Sequence, residues 1–429
     1  MSASLQIFLC IALLILAAKL CGAAMARIGL PLVLGELLAG VLLGPTFINI
    51  WRFQWFSVSG PARVSVVAVF KVLADIGVVL LMFLAGLETD VDMMRSAVAP
   101  AFWAATGGVI LPMVGGAVLA HAAGYSWQHA IFIGTILTAT SVTITAQTLM
   151  NLKQLQSKAG STILGAAVID DVLGLIVLSV VIALAPSFAH SGAASWRGLA
   201  VTLGRMVLCL ALLGFVGPPF VRWVFRRAER LHGSHTEVSA ALVIAFLFAF
   251  QAEWFGGMAA ITGSYLAGLF VAGTPAHRCV LDDIQPMINS FFGPLFFVSI
   301  GLEVDILQLS GHVEFFVALL LVAIVGKIIG CGLGSRFTGF SWRESLIVGV
   351  GMIPRGEVGL ITASLGFAAG VVTRDVYVQV VVVVLLSTLI TPGLLCFAFP
   401  RSSLAGEVLS SGAMELQRLD TAVDKMADA

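Results

Sequence analysis

Charged residues are scarce in this sequence. Only 11% of the 429 residues are Asp, Glu, Lys or Arg, whereas 59% are hydrophobic and the mean hydropathy is +1.05. A soluble globular domain carries about 25% charged residues. Acidic and basic residues are equally numerous, at 23 each, so the chain has no basic surplus with which to bind a nucleic-acid backbone. The composition excludes a soluble enzyme and a nucleic-acid-binding protein, and it predicts a protein embedded in a lipid bilayer.

Cysteine and histidine are too few and too scattered to build a metal centre. The six cysteines lie far apart, without a CxxC spacing, so neither a disulfide framework nor a zinc site is indicated. No phosphate-binding glycine loop, dinucleotide fingerprint or nucleophile elbow occurs in a suitable context. We therefore expect no catalytic residues and no cofactor.

Long apolar runs dominate what is present. Runs of about 18–25 residues alternate with charged or Gly/Pro-rich breaks, which predicts an all-α integral membrane protein with about 13 transmembrane helices. The predicted spans are 3–26, 29–47, 64–87, 99–122, 128–150, 160–186, 199–221, 236–253, 256–274, 284–302, 312–335, 343–368 and 376–399.

The distribution of Lys and Arg predicts how the chain is oriented. Fourteen of these residues follow odd-numbered spans or lie in the C-terminal tail, against four in the opposite loops. The positive-inside rule then places the N-terminus outside and the C-terminus in the cytoplasm.

A short motif indicates an internal repeat. GLETD closes the third span at 86–90, and GLEVD closes the tenth at 301–305. LAG at 38–40 in the second span has a counterpart at 266–268 in the ninth. Each pair of motifs is an odd number of crossings apart, so its two copies face opposite sides of the bilayer. This is the inverted repeat that secondary transporters use.

Three charged residues inside predicted spans are the main site candidates. Asp170 and Asp171 lie in the middle of the sixth span, and Lys327 lies in the eleventh. A charge at the bilayer centre costs at least about 2.5–3.5 kcal/mol. Adjacent helical residues point about 100° apart, so one carboxylate is expected to face a cavity and the other a neighbouring helix. One lysine does not neutralise two carboxylates, and the excess one requires a proton or a cation; a static ion-pair network is the alternative.

Two spans carry signals of interruption. Five hydroxyl side chains crowd residues 138–145 of the fifth span, where they could coordinate a monovalent cation or hydrogen-bond between helices. Pro354 and three glycines interrupt the twelfth span, which predicts a broken helix. Arg355 and Glu357 could balance the exposed helix ends; a kinked helix with a snorkelling arginine is the alternative.

Other polar residues within spans stay open at this point. Lys19 and Arg205 are expected to snorkel toward the membrane surface or to contact lipid headgroups. Glu36 and Asn289 could line a cation funnel or cap a neighbouring helix.

Taken together, these motifs resemble the monovalent cation:proton antiporter-2 family, in particular its bacterial sodium/proton antiporters. The resemblance covers about residues 1–400 and is carried by GELLAG at 35–40, LGP at 43–45, FLAGLE at 83–88, ATSV at 139–142, the Asp170-Asp171 pair, Lys327 and PRGE at 354–357. It implies a fold in which the fifth and twelfth spans cross as discontinuous helices. It also implies a homodimer in the bacterial inner membrane.

The family's domain organisation follows from the same resemblance. A dimerisation domain would comprise residues 1–98 and 236–302, and a core ion-translocation domain would comprise 99–186 and 312–400. A linker helix at 199–221 would join them, followed at the end of the chain by a short cytoplasmic tail at 401–429.

The resemblance also assigns roles to single residues. Asp171 would hold either Na⁺ or a proton, with Asp170 and Thr140 as further candidate ligands, and Asp170 would pair with Lys327. Ser141 would lie with Thr140 at the helix crossing.

On the other side of that crossing, Pro354 would break the twelfth span. Arg355 and Glu357 would balance the charge of the helix ends there.

The chain is thus expected to exchange Na⁺ or Li⁺ for protons by alternating access, with cation and proton competing at the aspartates. If the Asp170–Lys327 pair also releases a proton, about two protons would move per cation and transport would be electrogenic. The family's potassium-efflux members usually have a neutral residue at the first acidic position and a large nucleotide-binding domain. About 29 residues follow Pro400 here, so we expect no nucleotide-binding regulatory domain.

Three alternatives differ in what they require. A K⁺/H⁺ antiporter is less favoured because of the aspartate pair. A cation channel would conduct without driving protons uphill. An intramembrane aspartyl protease needs its aspartates on separate, facing helices, whereas Asp170 and Asp171 are adjacent and diverge.

Overall fold

The structure is a computed structural model that describes residues 3–28, 30–50, 61–89, 97–184, 196–228, 235–302, 313–355 and 370–399, with 359, 362, 363, 366 and 367. Within these ranges all regular secondary structure is helical. The helices are α1 (Ala3–Arg27), α2 (Leu32–Leu43), α3 (Pro61–Leu87), α4 (Val98–Ala122), α5 (Trp127–Ile136), α6 (Val142–Asn151), α7 (Lys158–Leu184), α8 (Trp196–Ala228), α9 (Thr236–Phe250), α10 (Ala260–Ala272), α11 (His277–Met287), α12 (Gly293–Leu302), α13 (Val313–Arg336), α14 (Trp342–Gly351) and α15 (Arg374–Ala398). Single π-helical turns, Gln251–Phe255 and Ile288–Phe292, follow α9 and α11.

The all-helical membrane architecture predicted from the sequence is confirmed. In the part of the chain that the structure describes, nine helical segments are long and apolar enough to cross a membrane, so the predicted number of 13 is not reached by this measure. The predicted fifth span is divided into the short helices α5 and α6. α2 and α10, with 12 and 13 residues, are also short.

Some helix ends lie beyond the predicted spans. The predicted linker at 199–221 is part of the 33-residue helix α8. The predicted tenth span, 284–302, covers the end of α11, the second π-helical turn and α12, and α11 begins earlier, at His277. Hydropathy locates only the lipid-compatible part of a helix, whereas backbone hydrogen bonding continues into polar residues.

Two helix crossings are built in the same way, each with a pair of closely approaching glycines. Such a pair of crossings is consistent with the predicted internal repeat. A Cβ on Gly86 would meet the carbonyl of Tyr265 in α10 and come within 3.0 Å of the Gly268 Cα, and a Cβ on Gly301 would meet the carbonyl of Leu37 in α2 and come within 2.7 Å of the Gly40 Cα. Gly86 and Gly301 each begin a GLE motif, and Gly40 and Gly268 each end an LAG motif. The α3–α10 and α2–α12 crossings are therefore equivalent.

A third crossing brings α4 against α13. Gly107 and Gly330 face each other so closely that a Cβ on either would meet the carbonyl of the other. α5 and α7 pack on α4, and α14 packs on α13. The close approach of α4 and α13 leaves little room beside Lys327, whose Nζ would lie 3.5 Å from a Cβ placed on Gly108.

Candidate functional site

The two interrupted helices meet at their breaks. α5 gives way after Ile136 to a turn and an extended segment, and α6 begins at Val142. The Ser141 N–H donates to the carbonyl of Pro354 at 2.8 Å, and the Thr145 hydroxyl donates to the carbonyl of Gly351 at 2.6 Å. Each break thus supplies a polar partner for backbone that leaves a helix inside the membrane.

The positive charge of Arg355 lies at this crossing and is hydrogen-bonded to backbone carbonyls. Its side chain is 1% exposed, and its guanidinium donates to the carbonyl of Leu137 at 3.0 and 3.2 Å and to the carbonyl of Ala323 at 2.8 Å. Leu137 is the C-cap residue that follows α5, where unpaired carbonyls give the helix end a partial negative charge. Arg355 is therefore a buried helix cap rather than a snorkelling side chain. Glu357, its predicted companion, lies outside the described residues.

Asp170 forms a buried ion pair with Lys327. The Lys327 Nζ donates to the Asp170 Oδ1 at 3.1 Å, and the side chains of Lys327 and Asp170 are 0% and 1% exposed. The second carboxylate oxygen, Oδ2, is buried without a hydrogen-bond partner among the described residues. This pair joins α7 to α13 in the interior of the molecule.

Asp171 has different surroundings. Its side chain is partly buried, and its Oδ2 accepts a hydrogen bond of 2.8 Å from the hydroxyl of Thr262 in α10. It also lines a cavity that leaves about 20 Å³ for a water-sized occupant, close to the room needed by one water molecule. The remaining walls come from Met82, Val142, Leu164, Ala167, Val168, Ile261 and Tyr265.

The predicted hydroxyl ligands lie near this cavity but not in its wall. Thr140 and Ser141 are 7% and 4% exposed and occupy the break, while their neighbour Val142 reaches the cavity. The Thr140 hydroxyl oxygen is buried and has no hydrogen-bond partner in the described part of the chain. The structure therefore pairs Asp170 with Lys327 and sets Asp171 in the cavity wall. Thr140 and Ser141 lie at the crossing, where they were expected, and neither lines the cavity beside the Asp171 carboxylate.

Thr262 and Tyr265 belong to this site although no sequence pattern singles them out. The Tyr265 hydroxyl donates to Thr89 at 3.4 Å. Thr89 follows Glu88, which accepts a hydrogen bond of 3.1 Å from Gln285. Glu88 comes directly after α3, and burial raises the pKa of its carboxyl to about 7. A threonine or tyrosine in an apolar helix is usually an interhelical hydrogen-bonding residue, so only the packing shows their position.

Lys19 and Glu36 form a second intramembrane ion pair, which was not predicted from the sequence. The Lys19 Nζ lies 3.1 Å from the Glu36 Oε1 and donates to the Asn289 carbonyl at 2.7 Å. Gly293 donates to the carbonyl of Ile288 instead, and Pro294 has no N–H. Lys19 is therefore a hydrogen-bond donor to the carbonyl freed by the π-helical turn, which the expectation of a snorkelling or lipid-contacting side chain did not include.

Comparison with known proteins agrees with this architecture. A family model described as "Sodium/hydrogen exchanger, transmembrane" matches residues 12–399. The chain is 38% identical to the Na⁺/H⁺-K⁺ antiporter GerN of Bacillus cereus, over 92% of this chain and 96% of GerN. It is 35% identical to an Na⁺/H⁺ antiporter of Enterococcus hirae, over 90% of this chain and 96% of the relative.

A solved structure shares the fold. The sodium proton antiporter MjNhaP1 of Methanocaldococcus jannaschii superposes with a TM-score of 0.65 at 14% identity, covering 92% of this chain and 97% of that one. The family match over nearly the whole chain, together with the identity to GerN and to the Enterococcus antiporter, bears out the resemblance inferred from the motifs. The chain belongs to the sodium/hydrogen exchanger family of membrane antiporters.

Proposed function

We propose that this protein exchanges Na⁺ or Li⁺ for protons across a membrane, with cation and proton competing for the Asp171 carboxylate. One observation carries the proposal: of two adjacent intramembrane aspartates, Asp170 is paired with Lys327, whereas Asp171 lines a cavity. A carboxylate that lines a small, largely apolar cavity can take up either a proton or a small cation. Only one of the two can occupy the carboxylate at a time.

Competition then couples the two fluxes. Protonation neutralises Asp171 and releases the cation, and cation binding displaces the proton. Alternating access would expose the same carboxylate to each side in turn. If the Asp170–Lys327 pair also releases a proton during the cycle, exchange becomes electrogenic, because two protons then move for each cation.

The packing supports a division into two moving parts. α4, α5, α7, α13 and α14 pack on one another and carry the aspartates, the lysine and the crossing. Through the equivalent glycine crossings, α2 packs on α12 and α3 packs on α10. We propose that the first group is the mobile core and that the second belongs to a homodimerisation domain in the bacterial inner membrane.

The proposal is tested with purified protein in proteoliposomes that hold an imposed proton gradient. Adding NaCl or LiCl outside should dissipate the gradient. A pH-sensitive dye inside the vesicles reports the change in internal pH. Asp171→Asn should show no response at any cation concentration. A cation current without proton movement would replace exchange by a channel.

K⁺/H⁺ exchange is the second candidate, because the name of the 38% identical relative GerN includes K⁺. The same vesicles decide between the two functions. A response to KCl alone would assign K⁺/H⁺ exchange, and a response to NaCl and LiCl alone would assign the first function.

A further inference from the structure

A second oxygen in the wall of the Asp171 cavity comes from a different helix, from the side chain of Thr262. Thr262 is 4% exposed, and its hydroxyl donates to the Asp171 Oδ2 at 2.8 Å. It belongs to α10, which packs mainly against α3 and α9 rather than against the α7 helix that carries Asp171. The hydrogen bond therefore bridges the two groups of helices at the point where the ion is proposed to bind.

Few other groups in the cavity wall can serve a dehydrated cation. Six of the wall residues are hydrophobic: Met82, Val142, Leu164, Ala167, Val168 and Ile261. The Tyr265 hydroxyl is directed toward Thr89, to which it donates a hydrogen bond of 3.4 Å. The Thr262 hydroxyl lies within hydrogen-bond distance of the carboxylate, and hard cations prefer oxygen ligands.

A hydroxyl suits each state of a site shared by cation and proton. It has one donor and two acceptor lone pairs, and it rotates to present either. Toward ionised Asp171 it can donate, through the 2.8 Å hydrogen bond to Oδ2. Toward protonated Asp171 it can accept, and toward a cation on the carboxylate it can offer a lone pair. A methyl group of the same size can do none of these.

We infer that Thr262 is a cation ligand of this transporter, supplied by α10 to the ion held at Asp171. The inference rests on the proposed exchange at Asp171 and adds a specific binding residue to it. Removing the hydroxyl should weaken cation binding and leave the translocation steps intact. A purely structural threonine would instead change the amount of folded protein or the maximal rate.

The test compares Thr262→Val with Thr262→Ser in proteoliposomes, measuring the Na⁺ concentration for half-maximal exchange and the maximal rate. Thr262→Val should raise the half-maximal Na⁺ concentration about tenfold or more, with the maximal rate changed less than about twofold. Thr262→Ser should stay within about threefold of the unmodified protein. Ser264→Ala is the matched control, because Ser264 lies on the same helix and its hydroxyl donates to Val79 at 2.6 Å, away from the cavity; it should not change the Na⁺ dependence.

An unchanged half-maximal Na⁺ concentration in Thr262→Val would overturn the ligand role, as would an equal loss in Thr262→Val and Thr262→Ser. If Thr262→Val does not fold, Thr262→Ala replaces it in the comparison with Thr262→Ser. Asp171→Asn distinguishes a failure of the proposed function from a failure of the inference about Thr262. Exchange that survives Asp171→Asn refutes the proposed function, whereas a silent Asp171→Asn beside a normal Thr262→Val refutes only the inference about Thr262.

Discussion

At the residue scale, two neighbouring aspartates have opposite surroundings because a helix turns about 100° per residue. Asp170 faces α13 and a lysine, and Asp171 faces a cavity and a hydroxyl. That divergence could be predicted from the sequence. The assignment of Lys327 to Asp170 rather than to Asp171 came from the family resemblance, because residues so far apart in the chain meet only through packing.

The buried Asp170–Lys327 pair leads to a stability prediction. Lys327→Met leaves a charged carboxylate without a partner in the interior, which typically lowers the free energy of unfolding by about 3–5 kcal/mol. The variant should therefore melt at a clearly lower temperature in detergent. Adding Asp170→Asn removes the uncompensated charge, so the double variant should recover much of the loss. A single variant that melts like the unmodified protein, or a double variant that melts no higher than the single one, would contradict this account.

Glu88 leads to a prediction about pH. Burial raises the pKa of its carboxyl from an ordinary value of 4.5 to about 7. Because the folded state binds this proton more tightly than the unfolded chain does, protonated Glu88 contributes to the free energy of unfolding. This contribution is complete below pH 4.5 and is lost as pH rises through 7. The melting temperature should therefore fall more steeply from about pH 5 to 8 in the unmodified protein than in Glu88→Gln, which is neutral throughout. Parallel curves for the two proteins would show that Glu88 does not titrate in this range.

At the element scale, the interruptions of two spans follow from recognisable signals. Pro354 and its neighbouring glycines predict a break, and α14 ends at Gly351. The Thr-rich segment is a weaker signal, yet α5 and α6 are separated there. The sequence could not show that the two breaks bond to each other, nor that Arg355 caps α5, because these contacts join distant parts of the chain. The carbonyl that Lys19 contacts could not be predicted from the sequence, because in a regular α-helix Pro294 would leave the carbonyl of Ser290 unpaired rather than that of Asn289.

The glycine crossings lead to a paired prediction. A Cβ at Gly86 or at Gly301 would collide with backbone rather than with a movable side chain. Gly86→Ala and Gly301→Ala should therefore each lower the free energy of unfolding by about 1–3 kcal/mol, and by similar amounts if the crossings are equivalent. Gly214→Ala is the control, because nothing lies within 4 Å of a Cβ at that helical position. Melting temperatures of the three variants check this, and a large difference between the first two would argue against the structural repeat.

At the scale of the whole molecule, composition and hydropathy suffice to predict a helical membrane protein, and the paired GLE and LAG motifs predict an inverted repeat. That the two motifs cross each other in each copy is seen only in the structure. Helix ends are less predictable, since α8 and α11 extend into polar residues. The Thr262 contact was beyond prediction, because it depends on how one group of helices sits against the other.

The central claim is that proton and cation compete for Asp171. The most direct test measures the Na⁺ concentration for half-maximal exchange in proteoliposomes across a pH series from about 6 to 9. Competition predicts that this concentration rises as pH falls, approaching about tenfold per pH unit for one competing proton, while the maximal rate at saturating Na⁺ stays constant. A half-maximal Na⁺ concentration that does not change with pH would place proton and cation at separate sites and contradict the account.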